Sequence, residues 1–180
     1  MTSKGMKLVL TKHKGYHNIR NFIETGTHKA QGLLQVYKHF KNVETIELAK
    51  PLYKVSLRRT KHTHIICHHG DSTEVLPKLS EQYKEATVFY LDAHYCMPRN
   101  QHIVNAQFPL WKELEMLMKR PYKDIIIIDD VHAFGNSYPK FKSNSIDWMD
   151  VSFKSIIEFC GNDKILDSFQ VEDEFVIFKK

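Results

Sequence analysis

Four isoleucines in a row, Ile125–Ile128, bounded by Asp124 before them and Asp129-Asp130 after, set the tightest limit on what this chain can become. A strand with one wet face alternates apolar and polar residues. An unbroken β-branched run is buried on both faces and belongs in a parallel sheet with helices on either side. The run therefore reads as the centre of such a sheet, and the two acids after it fall where the chain leaves the sheet.

The remaining chain fits that frame. Residues 1–19 lack clear periodicity and read as a short strand or helix followed by a loop. Phe22-Ile23-Glu24 opens the first core strand, and Leu33, Leu34, Val36, Tyr37 and Phe40 recur at helical spacing, which predicts a helix over residues 30–40. Residues 43–47 alternate as a second strand. Pro51 suits the first turn of the helix that follows, to about Thr60. Residues 64–68 form a third strand. Ser72 or Thr73 is placed to cap the next helix. Residues 87–92 form a fourth strand and residues 109–119 a helix. Residues 95–107 and 134–145 read as loops, and the segments 95–107 and 133–149 remain to form a lid. A helix over residues 151–160 ends at Gly161. Two runs, 164–170 and 175–179, are close enough to pair as an antiparallel hairpin. Strand and helix alternating five times before a hairpin predict a doubly wound, Rossmann-like α/β sheet, mostly parallel, within a single domain over residues 1–180.

Composition excludes several classes. With 42% hydrophobic residues the chain can build a core, yet no apolar run is long enough to span a bilayer. The three cysteines, Cys67, Cys96 and Cys160, show neither disulfide nor zinc spacing, so a cytoplasmic, reducing setting is the default. The formal charge of +5 reads as a basic, solvated surface, with Lys54, Arg58, Arg59 and Lys61 on the outer face of a helix. No activating arrangement surrounds Cys96.

In open α/β sheets ligands bind at the carboxyl ends of the strands. Here an acid stands at each end: Glu24, Glu47, Asp71, Asp92 and the Asp129-Asp130 pair. Gathered carboxylates repel one another, so a rim that collects them expects a cation or a hydroxyl-rich ligand. Glu24 disfavours a phosphate and suits an ammonium group. Glu47 occupies the position that holds ribose hydroxyls in dinucleotide-type folds. Asp71 suits an adenine amino group or, equally, a helix cap.

Glu24-Thr25-Gly26-Thr27, Glu47, Gly70-Asp71-Ser72 and Asp92 together resemble the cofactor motifs of class I S-adenosylmethionine-dependent methyltransferases. The likeness runs from about Asn21 to Lys180. Residues 22–26, Leu91-Asp92-Ala93-His94 and Ile128-Asp129-Asp130 are similar to the metal-dependent macrocin-type and catechol-type O-methyltransferases. The resemblance implies S-adenosylmethionine held by Glu24, Thr25, Gly26, Thr27, Glu47, Leu48, Asp71, Ser72 and Asp92. It implies magnesium on Asp92, Asp129 and Asp130, and His94 as the general base, where the family usually has an acid. The implied acceptor is a small-molecule hydroxyl, with a nucleic-acid methyltransferase or a non-catalytic cofactor-binding protein as the other readings. The chain departs from the pattern at His28-Lys29-Ala30-Gln31, where a second glycine is common.

A nicotinamide dehydrogenase would carry Gly-x-Gly-x-x-Gly after the first strand, and an α/β-hydrolase Gly-x-Ser-x-Gly; neither is present. Asp92-Ala93-His94-Tyr95 also differs from the Asp-Pro-Pro-Tyr type of amino-methyltransferases. Placing a charge in the isoleucine run should abolish folding, because an unpaired buried carboxylate has no compensation. Ile127→Asp is expected to yield insoluble chain; a soluble variant with a cooperative melting transition would contradict the reading.

Overall fold

The structure is a computed structural model that describes residues 1–93, 108–136 and 148–180. Seven strands form one sheet in the order β3-β2-β1-β4-β5-β7-β6. The strands are β1 (Asn21–Thr25), β2 (Asn42–Glu47), β3 (Ile65–His69), β4 (Thr87–Leu91), β5 (Ile125–Ile128), β6 (Ile165–Val171) and β7 (Glu174–Lys179). Neighbours from β3 to β5 pair in parallel, and β7 joins β5 and β6 antiparallel. The expected mixed sheet with a terminal hairpin is what forms.

Four strands, β1, β4, β5 and β7, are buried along their whole length. The middle position belongs to β4, with β5 one place away between β4 and β7. The isoleucine run thus marks an interior strand but not the centre. Burial on both faces requires only helices above and below, which any inner strand has.

Helices α1 (Ser3–Lys12), α2 (Leu33–Val36) and α3 (Lys50–Thr60) come from the first part of the chain, and α4 (Ser72–Gln82), α5 (Leu110–Met118) and α6 (Phe153–Cys160) from the second. Strand alternation divides the core accordingly. Phe22, Val43, Val88, Tyr90, Ile125 and Ile127 pack with α1 and α2. Ile23, Ile46, Phe89, Ile126 and Ile128 pack with α4, α5 and α6.

Local structure resolves two open readings and changes one. Residues 1–19 hold a helix, α1, capped by the Thr2 side chain. The helix expected over residues 30–40 is reduced to α2 and a 3₁₀ turn, Tyr37–His39. His28 and Ala30 take positive φ (48° and 56°), so the chain spends residues 27–32 on turns before helical φ can propagate. Asp71, not Ser72 or Thr73, caps α4: its Oδ1 accepts the Thr73 N–H at 2.8 Å and the Thr73 hydroxyl at 2.7 Å. The predicted loop 95–107, and the predicted loop 134–145 beyond residue 136, lie outside the described residues.

Opposite the rim, a buried ion cluster clamps the sheet. Asp124, fully buried, accepts from the Thr87 N–H (3.0 Å), Arg120 Nε (2.9 Å) and Lys179 Nζ (3.3 Å). It joins β4, α5 and β7 at one point. Removing one partner of a buried charge cluster leaves uncompensated charge and costs about 3–5 kcal/mol. Asp124→Ala should lower unfolding free energy by that order in urea titration, whereas Asp124→Asn, which keeps an acceptor for Thr87, should lose less.

Candidate active site

Strand register decides what meets at the rim. Thr25 lies opposite Leu91, and Leu91 opposite Ile128. Glu47 lies opposite His69, and Phe175 opposite Ile128. The next row is therefore Glu47, Gly26, Asp92, Asp129 and Glu174. Main-chain bonds extend the ladder into this row: Gly26 N–H to Ile46 (2.9 Å), Asp92 N–H to Thr25 (3.0 Å) and Asp129 N–H to Leu91 (3.1 Å).

Gly26 is required by contact as well as by its φ of 81°. A Cβ there would lie 1.9 Å from the Asp92 carbonyl oxygen. The turn after β1 thus rests directly on the end of β4.

Alternation then sorts the side chains by face. Glu24, Tyr90, Asp92, Asp129 and Glu174 share the parity of the α1/α2 face. Glu24, Thr27, His28, Lys29, Tyr90, Asp92 and Asp129 line a cleft of about 220 Å³ there. Glu24 is 5% exposed. Its Oε2 accepts the Thr45 hydroxyl at 2.6 Å, and Thr27 Oγ1 lies 2.6 Å from that hydroxyl. Thr45 has one proton to give, so with Glu24 ionised Thr27 must donate to Thr45. Burial pushes Glu24 up to about 8; the Thr45 bond opposes this, and the charges of Asp129 and Glu47 add to it.

The neighbours of Glu24 feel the same field. Asp129 is raised by burial, against the Asp130 N–H that its Oδ1 accepts at 2.9 Å. Tyr90 is raised by burial and by Asp129, Glu174 and Asp92, and it donates to Glu174 Oε1 at 3.1 Å. Glu174, 2% exposed, is raised by burial and pairs with the Met1 ammonium, while its Oε2 has no hydrogen-bond partner. Sequence reasoning missed Glu174. The available signal was an acid opening the apolar run Phe175–Phe178, but its place beside Asp129 depends on the antiparallel register.

Glu47, 6% exposed, is already engaged. It accepts the His28 N–H and the Ala49 N–H, each at 2.7 Å, tying the β1 turn to the start of α3. Burial raises it and these N–H groups oppose the rise. Leu48, beside it, is 40% exposed at the rim. Thr25 and Ser72 fall on the other face, beside Glu113 of α5. Burial pushes Glu113 up to about 7, opposed by the nearby Ser72 and Thr25 hydroxyls. Glu113 too was missed, since in sequence it reads as a surface residue of a helix.

The acid trio does not form one ligand set. Asp130 follows Asp129 directly, takes φ 61° and is not among the residues that line the cleft. Its company is His132 and Asp173: His132 Nδ1 lies 3.9 Å from Asp130 and 2.5 Å from Asp173. Among the described residues, Asp130, His132 and Asp173 are the group close enough to share an ion. The hydrogen bond to Asp173 raises the His132 pKa. His94 lies outside the described residues.

No protein-family model matches the sequence, and no curated protein is similar to it. Solved structures do share its architecture. A Staphylococcus aureus protein assigned as a caffeoyl-CoA O-methyltransferase superposes with TM-score 0.57 at 14% identity, over 97% of this chain and 82% of its own. A Clostridium acetobutylicum S-adenosylmethionine-dependent methyltransferase gives 0.57 at 10% identity, over 98% and 89%. The Bradyrhizobium japonicum N-methyltransferase NodS in complex with S-adenosylhomocysteine gives 0.55 at 11% identity, over 98% and 84%. The chain shares the Rossmann-like fold of these three proteins. Among the described residues no helix is long and apolar enough to cross a membrane.

Glu24 supplies a direct test of this electrostatic picture. Its folded pKa is about 8 and its unfolded value about 4.5, so between these the folded state holds the proton that the unfolded state has lost. Stability must then fall as pH rises through this window, by up to about 1.4 kcal/mol per pH unit. Glu24→Gln removes the penalty. The variant should gain on the wild type between pH 5 and pH 8, as read by urea midpoints; parallel curves would exclude a raised Glu24.

Proposed function

We propose that this protein is an S-adenosylmethionine-dependent methyltransferase whose acceptor is a hydroxyl oxygen. One observation carries the reading: Glu24, Asp92 and Asp129 line one cleft at the carboxyl ends of the strands, with Glu174 beside them in the row of Asp129 and paired to the Met1 ammonium. Carboxyls gathered beyond the one that the Met1 ammonium pairs favour a further cation. The ammonium and sulfonium of S-adenosylmethionine answer that need, and the shared fold with NodS, whose structure holds S-adenosylhomocysteine, supports it.

The residues fit the donor in part. Glu24 and Asp129 suit its cationic end. Glu47 spends one acceptor site of each oxygen on a main-chain N–H, and a carboxylate retains further lone pairs for ribose hydroxyls. Asp71 uses Oδ1 as a cap and has Oδ2 for an adenine amino group. Bound in this cleft, S-adenosylmethionine supplies an electrophilic methyl group to an oxygen held in line. The chain's part is to hold both partners and exclude water.

For magnesium the ligand reading narrows to Asp92 and Asp129, which face the cleft; Asp130 does not join them. Two carboxylates with open water positions still suit this ion, which binds through few protein oxygens. His94 remains the proposed base, two residues after Asp92, since histidine can take a hydroxyl proton near neutral pH.

Isothermal titration with S-adenosylmethionine tests the reading. Binding should be detectable at millimolar donor and should tighten as pH rises toward 8, because a cation prefers ionised Glu24 and its binding releases the proton. Glu47→Ala should weaken binding by about 1–3 kcal/mol. No heat of binding at any pH would sink the proposal. Once an acceptor is found, turnover unaffected by EDTA would remove the metal while leaving the donor site.

A further inference from the structure

Charge is divided sharply along this chain. Residues 1–70 carry thirteen lysines and arginines against three acids, and residues 71–180 carry thirteen against eighteen. Every one of the first thirteen cations is exposed. The three acids, Glu24, Glu44 and Glu47, are all buried. Folding turns this into a surface, because residues 1–70 build α1, α2, α3 and the β3 edge. Acids from the terminal hairpin reach α1, where Asp167 meets Lys12 and His13 and Glu172 meets Thr2. None reaches α3.

Along α3, Lys50, Lys54, Arg58 and Lys61 follow at intervals of four, four and three, which places them on one stripe about 16 Å long. Among the described residues none of the four makes an ion pair. Like charges at this spacing repel, and a lysine in the first turn opposes the helix dipole. The helix holds this row against its own stability. Two ring pairs flank the stripe: Tyr53 with His69 at the rim end (centroids 5.1 Å apart) and Tyr37 with His64 at the far end (5.3 Å).

We propose that α3 and the adjoining β3 edge form a track for a single-stranded nucleic acid, with phosphates on the four cations and bases stacked at Tyr53 and Tyr37. Cations interleaved with aromatic planes are the means by which single strands are held without sequence readout. A lipid surface requires a continuous apolar face beside its cations, and here the large exposed apolar side chains are single ones on separate elements, Leu57 on α3 and Ile66 on β3. The track starts at Lys50, three residues beyond Glu47, so a bound strand arrives at the cleft. That it then offers the methyl acceptor rests on the methyltransferase reading; that it binds does not.

Fluorescence anisotropy with a labelled oligoribonucleotide of about 16 nucleotides tests this. With four phosphates neutralised, affinity should fall about 50-fold between about 50 and 200 mM salt. The double reversal Lys54→Glu, Arg58→Glu should weaken binding at least about tenfold, and Tyr53→Ala several-fold, while Lys154→Glu on α6 should change nothing. Equal binding by the α3 variants and wild type would overturn the proposal. So would preference for a duplex, or for phosphatidylserine vesicles over the oligonucleotide. S-adenosylmethionine titration of the same variants separates the two readings. Retained donor binding with lost oligonucleotide binding is the expected pattern. Oligonucleotide binding by a protein that never binds the donor would end the methyltransferase reading and leave the track.

Discussion

A single hydrogen atom is all that fits between the turn after β1 and the main chain at the end of β4. Gly26 approaches the Asp92 carbonyl so closely that any side chain would overlap it. Everything at the rim depends on this approach. It carries Glu24 and Thr27 toward Asp92, and through the Asp92 end of β4 toward Asp129 and Glu174. It also brings the His28 N–H onto Glu47, so one turn locks three strand ends together. The left-handed residues after it, His28 and Ala30, hold conformations that glycine adopts more easily. A thin glycine content therefore did not prevent the tight turn; other residues bear the strain.

The electrostatics of the cleft follow from that packing. Carboxyls brought together out of water hold their protons more tightly, as Glu24, Asp129 and Glu174 all do. A pocket in this state is poised for a cation, which would restore the charge that burial suppresses. The outer surface of the same half of the chain has the opposite character, since its acids have all been drawn inward and its cations left outside. The two features share one cause: the first two strands spend their acids on the interior.

Much of this was open to reading from the residues. The isoleucine run, the alternation of strands and helices and the terminal hairpin follow from periodicity, because side-chain burial must match backbone geometry. The strand-end acids were legible for the same reason, since each sits where an apolar run stops. What could not be read was their grouping. Asp129 and Asp130 are neighbours in sequence, yet only Asp129 lines the cleft with Asp92, because the chain leaves the strand at Asp130 through a left-handed conformation.

The sequence by itself determined the elements, the mostly parallel sheet and the strand ends that carry acids, since these depend on local periodicity and on where apolar runs begin and end. Only the tertiary structure decided the company each acid keeps. Glu174 joins the cleft through an antiparallel register more than forty positions from Asp129. Asp71 is occupied as a cap, Ser72 and Thr25 turn to Glu113, and Asp130 turns to His132 and Asp173. Register and face are properties of pairs of strands, and no single stretch of sequence contains them.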